Sequence, residues 1–226
     1  MTTHTKFWYL DNFDFFSGLT MDQRRFVHSN TKMTHLLKDE SVYFEGSPAT
    51  SIYFLKEGEM RISKYNESGE EFLINIISPG SIFGMSSLTG GPCRTETAVA
   101  TKPSLICILD NEKMKDLLKV NAELNLKFCA LMETRMTNMQ QRLENLTFKK
   151  GEDRIIDFIK SKAITSGVRE NGHILIKSSL TQDSIAKLSS TSRQMVSEVF
   201  SDLKKKGIID YNRKEIKILN PDAIIS

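Results

Sequence analysis

The sequence predicts an α+β protein: an N-terminal antiparallel β-roll of jelly-roll-like layout, a long dimerisation helix, and a C-terminal winged helix-turn-helix. Three observations predict it. Short apolar runs punctuated by glycine fill the stretch from about Phe13 to Asp110. Apolar residues at coiled-coil spacing follow between Cys129 and Leu146. The last third reads helix, strand, helix, turn, helix, hairpin, which is the order of a winged helix-turn-helix. The expected parts are residues 1–110, 111–148 and 149–226.

In the first part the runs SVYFEG, SIYFLKEG, EMRISKYNESG, EEFLINIISPG and SIFG are rich in Ile, Tyr, Phe and Val, which suits strands. Turn signals recur at Gly46, Gly58, Gly69, Gly80 and Gly84. Strands this short and closely spaced read as a sandwich or barrel-like roll. The segment TETAVATKPSLICILD adds further strands, with Pro103 expected to break them.

Helical periodicity takes over at Asp110, a good N-cap for NEKMKDLLKV. Beyond it, Cys129, Met132, Met136, Met139, Leu143 and Leu146 alternate spacings of three and four, the a/d seam of a coiled coil. Leu124, Phe128 and Leu131 form a second apolar face, suited to packing on the roll. One helix with two such faces reads as a homodimerisation element, although a helix buried on both sides within one chain fits the same pattern.

From Lys149 the segment GEDRIIDFIKSKAIT reads as a helix carrying Ile155, Ile156, Phe158 and Ile159, and HILIKSS as a short strand. In LTQDSIAKLSSTSRQMVSEVFSDLKKKG, Thr181 is placed to cap a first helix with Ile185 and Leu188 inward. A turn is expected at Ser189 to Thr191. Thr191 and Gln194 form a T-x-x-Q capping box for a second helix, pinned by Met195, Val196, Val199, Phe200 and Leu203 and closed by Gly207. IIDY and EIKIL, flanking Asn212 to Lys214, complete the pattern as a hairpin.

The second helix of such a motif enters the major groove by its N-terminal portion. Ser192, Arg193, Gln194, Ser197 and Glu198 occupy that portion here. Arginine there can donate two hydrogen bonds to guanine, so Arg193 is the expected base reader, and Gln194 can treat adenine alike unless capping occupies it. Ser179, Thr181, Gln182 and Ser192 suit phosphate oxygens, which fix register rather than sequence. The run Lys204 to Lys206 reads either as nonspecific attraction or as a solvated helix end.

Charge agrees with that layout. The chain carries +3 overall. Residues 147–226 hold 15 Lys+Arg against 10 Asp+Glu, a net of +5, which leaves −2 for the preceding 146 residues. A basic module beside a slightly acidic remainder suits nucleic-acid reading by one end.

Other classes find little support. Cys93, Cys107 and Cys129 are odd in number and widely spaced, and His4, His28, His35 and His173 are dispersed, so neither a disulfide framework nor a metal site is indicated. A cupin-like enzyme needs inward histidines in the roll, and none lies between Tyr43 and Asp110. No catalytic residues are expected. A module that binds only proteins leaves the winged helix unexplained. No stretch approaches the roughly 20 apolar residues that span a bilayer, and the N-terminus lacks a basic-then-aliphatic leader, so the expected address is cytoplasmic.

The phrases SIYFLKEGEMRISKYNESGEEFLINIISPGSIFG, NLTFKKGEDRIIDFI and TSRQMVSEVFSDLKKKGII together resemble, over nearly the whole chain, the Crp/Fnr family of bacterial transcription regulators. They are similar to its cyclic-nucleotide-binding-type roll, its hinge, and its recognition helix with wing entry. The resemblance implies a homodimer on double-stranded DNA with a palindromic operator, RNA polymerase as a further partner, and an effector in the roll that re-aims the recognition helices.

It also implies where an effector would sit. In the cyclic-AMP-binding members a Gly-Glu pair holds the ribose, an Arg-Ser pair the phosphate and a Thr-Ser pair the adenine. The matching positions here are Gly84-Met85, Arg94-Thr95 and Met139-Gln140. An anion cradle survives in part, whereas both contacts that identify the nucleotide are altered. A different anionic ligand, or none, is therefore expected ahead of a cyclic nucleotide such as cyclic AMP, which stays open as the less favoured alternative. The N-terminal cysteine cluster of the oxygen-sensing members and the roll histidine of haem-binding ones are missing. At the turn between the two helices many members carry Gly, and this chain carries Ser190.

Overall fold

The computed structural model describes residues 13–177, 180–212 and 215–225. The chain divides into two compact units, Met1–Met136 and Thr137–Ser226.

The first unit is built on one antiparallel sheet. Its strands are β1 (Thr31–Leu36), β2 (Ser41–Tyr43), β3 (Ser51–Tyr65), β4 (Glu71–Ile77), β5 (Ile82–Phe83) and β6 (Thr97–Asp110). The order is β1-β6-β3-β4, with β2 on β6 and β5 on β3. Helix α1 (Met21–Asn30) precedes the sheet, and Thr20 and Gln23 close a reciprocal capping box at its start.

Two expectations are corrected here. Gly58 does not separate two strands, and Pro103 does not break one. β3 and β6 run unbroken through both positions, with register shifts between Leu55 and Met60. Gly58 adopts φ +94°, and a Cβ there would meet Ser104 backbone at 2.5 Å, so only glycine fits.

The irregularity decides which side chains face which core. Ile52 and Phe54 belong to a cluster with Phe13, Phe16, Cys107 and Leu109, whereas Tyr53 and Leu55 belong to another with Tyr43, Phe83 and Ile106. Beyond the bulge Met60 and Ile62 join the second cluster, so the alternation has slipped by one residue. A bulge does this by inserting one residue into a period of two. Both faces of β3 are thereby buried, which gives the sequence a continuous apolar run in place of alternation.

Asp110 caps α2 (Asn111–Val120) as the sequence predicts, accepting from the Glu112 and Lys113 amides. Residues 111–148 hold two helices. The chain breaks at Asn121, whose Oδ1 accepts from the Leu124 amide and starts α3 (Ala122–Phe148). Leu124 is buried against the first cluster, with Phe128 and Leu131 packed beside it, the face read as roll-directed.

The second unit holds α4 (Gly151–Ser166), β7 (Val168–Glu170), β8 (His173–Lys177), α5 (Gln182–Ser189), α6 (Arg193–Lys205), β9 (Ile209–Tyr211), β10 (Glu215–Ile218) and α7 (Asp222–Ile225). Its sheet runs β7-β8-β10-β9, all antiparallel. The β9–β10 hairpin follows the sequence reading. Strand β7, three exposed residues, was not legible in it. Ile155, Ile159, Val196, Phe200, Leu203, Ile216 and their neighbours form one core. Among the described residues no helix is long and apolar enough to cross a membrane.

Candidate functional site

The α5–α6 corner is built from local signals. The Thr181 hydroxyl accepts from the Ser184 amide and caps α5. At its far end Ser190 takes the left-handed conformation, φ 52° and ψ 52°. The Thr191 amide there donates to the Ala186 carbonyl at 2.8 Å, closing the helix as glycine ordinarily does.

The cap of α6 differs from the sequence reading. Ser192, one residue later than Thr191, accepts from the Met195 amide at 3.1 Å. Thr191 Oγ1 is buried without a hydrogen-bond partner. Gln194 therefore has no capping duty, and its Nε2 donates to Glu198 Oε1 at 2.9 Å, one helical turn on. Arg193 becomes the first residue of α6.

Val196, Phe200 and Leu203 bury one face of α6. At roughly 2 kcal/mol per fully buried apolar side chain, they hold the helix firmly in the core. The opposite face exposes Ser192, Arg193, Gln194, Ser197 and Glu198 together. At the start of α4, a Cβ on Gly151 would fall 2.3 Å from Met195 Sδ, so α4 seats directly against the first turn of α6. Gly207, φ 68°, ends the helix, with the Ile208 amide on the Leu203 carbonyl.

Among the other expected contacts, Thr181 is exposed but engaged as a cap, and Gln182 is half-buried. Ser179 lies outside the described residues, as do Arg213 and Lys214. Lys204 pairs with Asp210 and Lys206 with Asp202, each at 2.7 Å, so both already have protein partners.

In the first unit, the residues read as an anion cradle part company. Thr95 is exposed, whereas Arg94 is 2% exposed. Arg94 Nη1 donates to the Gly84 carbonyl at 2.8 Å and Nη2 to the Ser51 carbonyl. Its guanidinium lies over Tyr43, 4.4 Å from the ring centroid, and beside Tyr53. Gly84, φ +71°, is fixed by that approach, because a Cβ would stand 2.8 Å from Nη1. Met85 is a buried member of the first cluster. Met139 and Gln140 are exposed on α3, among residues of the second unit.

Sequence reasoning missed several residues around Arg94. Tyr43, Tyr53 and Phe83 form a stack, the last two 5.1 Å apart at 22°. The Tyr43 hydroxyl donates to Glu96 at 3.1 Å. Burial first, and the Glu96 charge second, push that phenol well above its ordinary pKa, so it stays a neutral donor. Arg135 of α3 reaches in to donate to the Ile82 carbonyl. Although the residue as a whole is exposed, desolvation of its guanidinium lowers its pKa, and Glu96 and Tyr43 pull it back. Ser87 donates to Asn111 Oδ1, and Asn111 to the Ala49 carbonyl, which ties the turn after Gly84 to α2.

Of the seam residues, Met132 is partly buried against the first cluster, while Met136, Met139 and Leu143 are 53%, 68% and 63% exposed.

A bulged roll, a long helix and a winged helix-turn-helix whose second helix exposes a polar face are the parts of a DNA-binding transcription regulator. Comparison with known proteins agrees in both parts. Residues 33–121 match the family described as cyclic nucleotide-binding domain, and residues 153–225 the Crp-like helix-turn-helix domain. A global nitrogen regulator from Nostoc is 28% identical over 186 residues, covering 81% of this chain and 83% of that protein. A CRP-like cAMP-activated global transcriptional regulator from Mycobacterium tuberculosis is 23% identical over 187 residues, covering 83% and 84%. The structure of FixK2 from Bradyrhizobium japonicum is similar in fold, with a TM-score of 0.77 at 18% identity, covering 86% of this chain and 95% of that one. The chain belongs to the Crp/Fnr family of transcription regulators.

Proposed function

We propose that two copies of this chain, joined along the α3 seam, place two α6 helices in successive major grooves about 34 Å apart on a palindromic duplex. The observation that carries this reading is the exposed polar face of α6, with Arg193 at its first turn and its back fixed by Val196, Phe200 and Leu203. Arg193 reads guanine. Gln194, oriented by Glu198, reads a neighbouring base. Ser192, Thr181, Gln182, Ser197 and Ser179 contact the backbone. The protein acts in the cytoplasm without catalysis, and RNA polymerase is its further partner.

The exposed stretch of Met136, Met139, Leu143 and Leu146 supports the dimer, since a row of large apolar side chains on one helix calls for a covering surface. An effector, where one acts, enters the roll beside Arg94. Neither a glutamate after Gly84 nor a hydroxyl at Met139-Gln140 is available to a cyclic nucleotide, which disfavours cyclic AMP for this chain even though the mycobacterial relative is named for it.

The test is binding to duplexes selected by the protein from a random pool. Arg193→Ala should cost about 1–3 kcal/mol and relax preference at one base position in each half-site. Unchanged affinity and preference would remove Arg193 from the interface.

A further inference from the structure

Three successive points at the C-terminal end of α5 are held by arginines from outside the helix-turn-helix. Arg142 Nη2, from the last turns of α3, donates to the Lys187 carbonyl at 3.1 Å. Arg154, in the first turn of α4, donates from Nε to the Ser189 carbonyl at 2.9 Å and from Nη2 to the Ser190 carbonyl at 2.8 Å. Its third nitrogen, Nη1, donates to the Lys149 carbonyl at 2.7 Å, one residue past the end of α3. All of these groups lie within the second unit.

A helix end leaves its last carbonyls without intrahelical donors and with partial negative charge. Guanidinium groups answer both needs, and their planar fork fixes direction as well as distance. The end they hold is not an ordinary one. Ser190 sits in the left-handed conformation, which costs an L-residue energy that glycine is spared, and three residues later the chain emerges as Arg193. Any rotation at Ser190 swings the first turn of α6.

We infer that Arg142 and Arg154 are positioning residues for DNA reading, tying the end of the long helix to the carbonyls that close α5 and so fixing the direction in which Arg193 leaves the turn. Arg154 braces the strained turn, and Arg142 makes its geometry depend on where the last turns of α3 lie. Movement of α3 thereby reaches the recognition helix through a side chain as well as through the backbone at Lys149 and Lys150. The half-buried Arg142 guanidinium is desolvated, which lowers its pKa, yet arginine remains charged and keeps its donors.

This inference rests on the reading of Arg193 as the base reader, and two measurements keep the two apart. The first uses no DNA. In the full-length protein, Arg142→Ala should speed amide exchange at Thr191, whose N–H closes the turn, by about tenfold, the scale set by one charge-assisted hydrogen bond. Exchange in β8 and β10 should not change, and Arg142→Lys, which keeps a cationic donor, should restore part of the protection. The second compares a duplex enriched by the wild-type protein from a random pool with a scrambled duplex of equal length. Arg142→Ala should weaken the selected duplex about tenfold and leave the scrambled one unaltered.

Equal losses on both duplexes with a matching fall in melting temperature would mean a merely structural role and overturn the inference. So would wild-type exchange at Thr191. Arg193→Ala is the control: if it costs nothing on the selected duplex the base-reading assignment falls, and the clamp is then decided by exchange at Thr191 alone.

Discussion

Arg94 lies over Tyr43, its guanidinium carbon 4.4 Å from the ring centroid, with its terminal nitrogens donating to the Gly84 and Ser51 carbonyls. A residue read from the sequence as half of an anion cradle thus also closes the roll around its aromatic stack. Nε of the same guanidinium is buried without a hydrogen-bond partner, so one of its donors is left unused by the protein.

The same geometry makes Arg94 a stability residue. Arg94→Ala should destabilise the protein by about 3 kcal/mol, because two carbonyls lose their donor and the Tyr43–Tyr53 ring face loses its cover. Denaturant unfolding measures it. A loss below about 1 kcal/mol would mean that the surrounding roll does not depend on this side chain.

Lys56 gives a pH dependence. It is 8% exposed, with its ammonium 3.5 Å from the Phe13 ring centroid. Desolvation lowers its pKa to about 8, against a smaller upward pull from Cys107. Below pH 8 both folded and unfolded chains carry the proton, and the full cost of burying the charge is present. Between about 8 and the ordinary lysine value near 10.4 the unfolded chain holds more protons, so stability rises with pH across that window. The gain should be about 3 kcal/mol, the free-energy equivalent of a shift of that size. Lys56→Met should flatten the rise, read as melting temperature against pH.

Much of this architecture was legible because it rests on period and punctuation. The α6 core face, the Asp110 and Thr181 caps and the Gly207 stop all follow from residue type at fixed spacing. The long β3 strand was not, since Gly58 signals a turn and a bulge equally until its partner strand is known. The α6 cap falls one residue later than the sequence suggests because Thr191 and Ser192 are both competent caps, and the Ser192 hydroxyl is the one that accepts from the Met195 amide. Arg135 was missed as a charged helix residue, although it continues the roll-facing positions Phe128 and Leu131 at helical spacing. At the end of α5, Arg142 and Arg154 act on carbonyls 35 or more residues away, and no local pattern announces such a pairing.

The dimer seam makes a covalent prediction. If two α3 helices pair in parallel along the proposed seam, the exposed Cys129 at a seam position would face its own copy, where a disulfide could form. Mild oxidation should crosslink the protein through Cys129, and Cys129→Ser should abolish the crosslink while Cys93→Ser leaves it intact. Cys93 is the other exposed cysteine and Cys107 is buried, so the pattern of variants identifies the contact. Crosslinking through Cys93 alone would count against the seam.

Ser190 carries the last prediction. Its left-handed conformation costs about 1 kcal/mol relative to glycine, and its side chain makes no hydrogen bond that glycine would forfeit among those seen at the turn. Ser190→Gly should therefore stabilise the second unit by about 0.5–1 kcal/mol, the added freedom of the unfolded chain taking back part of the gain. With the strain removed the turn depends less on Arg154, so Arg154→Ala should cost less stability in the Ser190→Gly background than in the wild type. A double-mutant cycle measured by thermal unfolding gives that coupling directly, and strictly additive losses would show that the arginine fork and the turn conformation are independent.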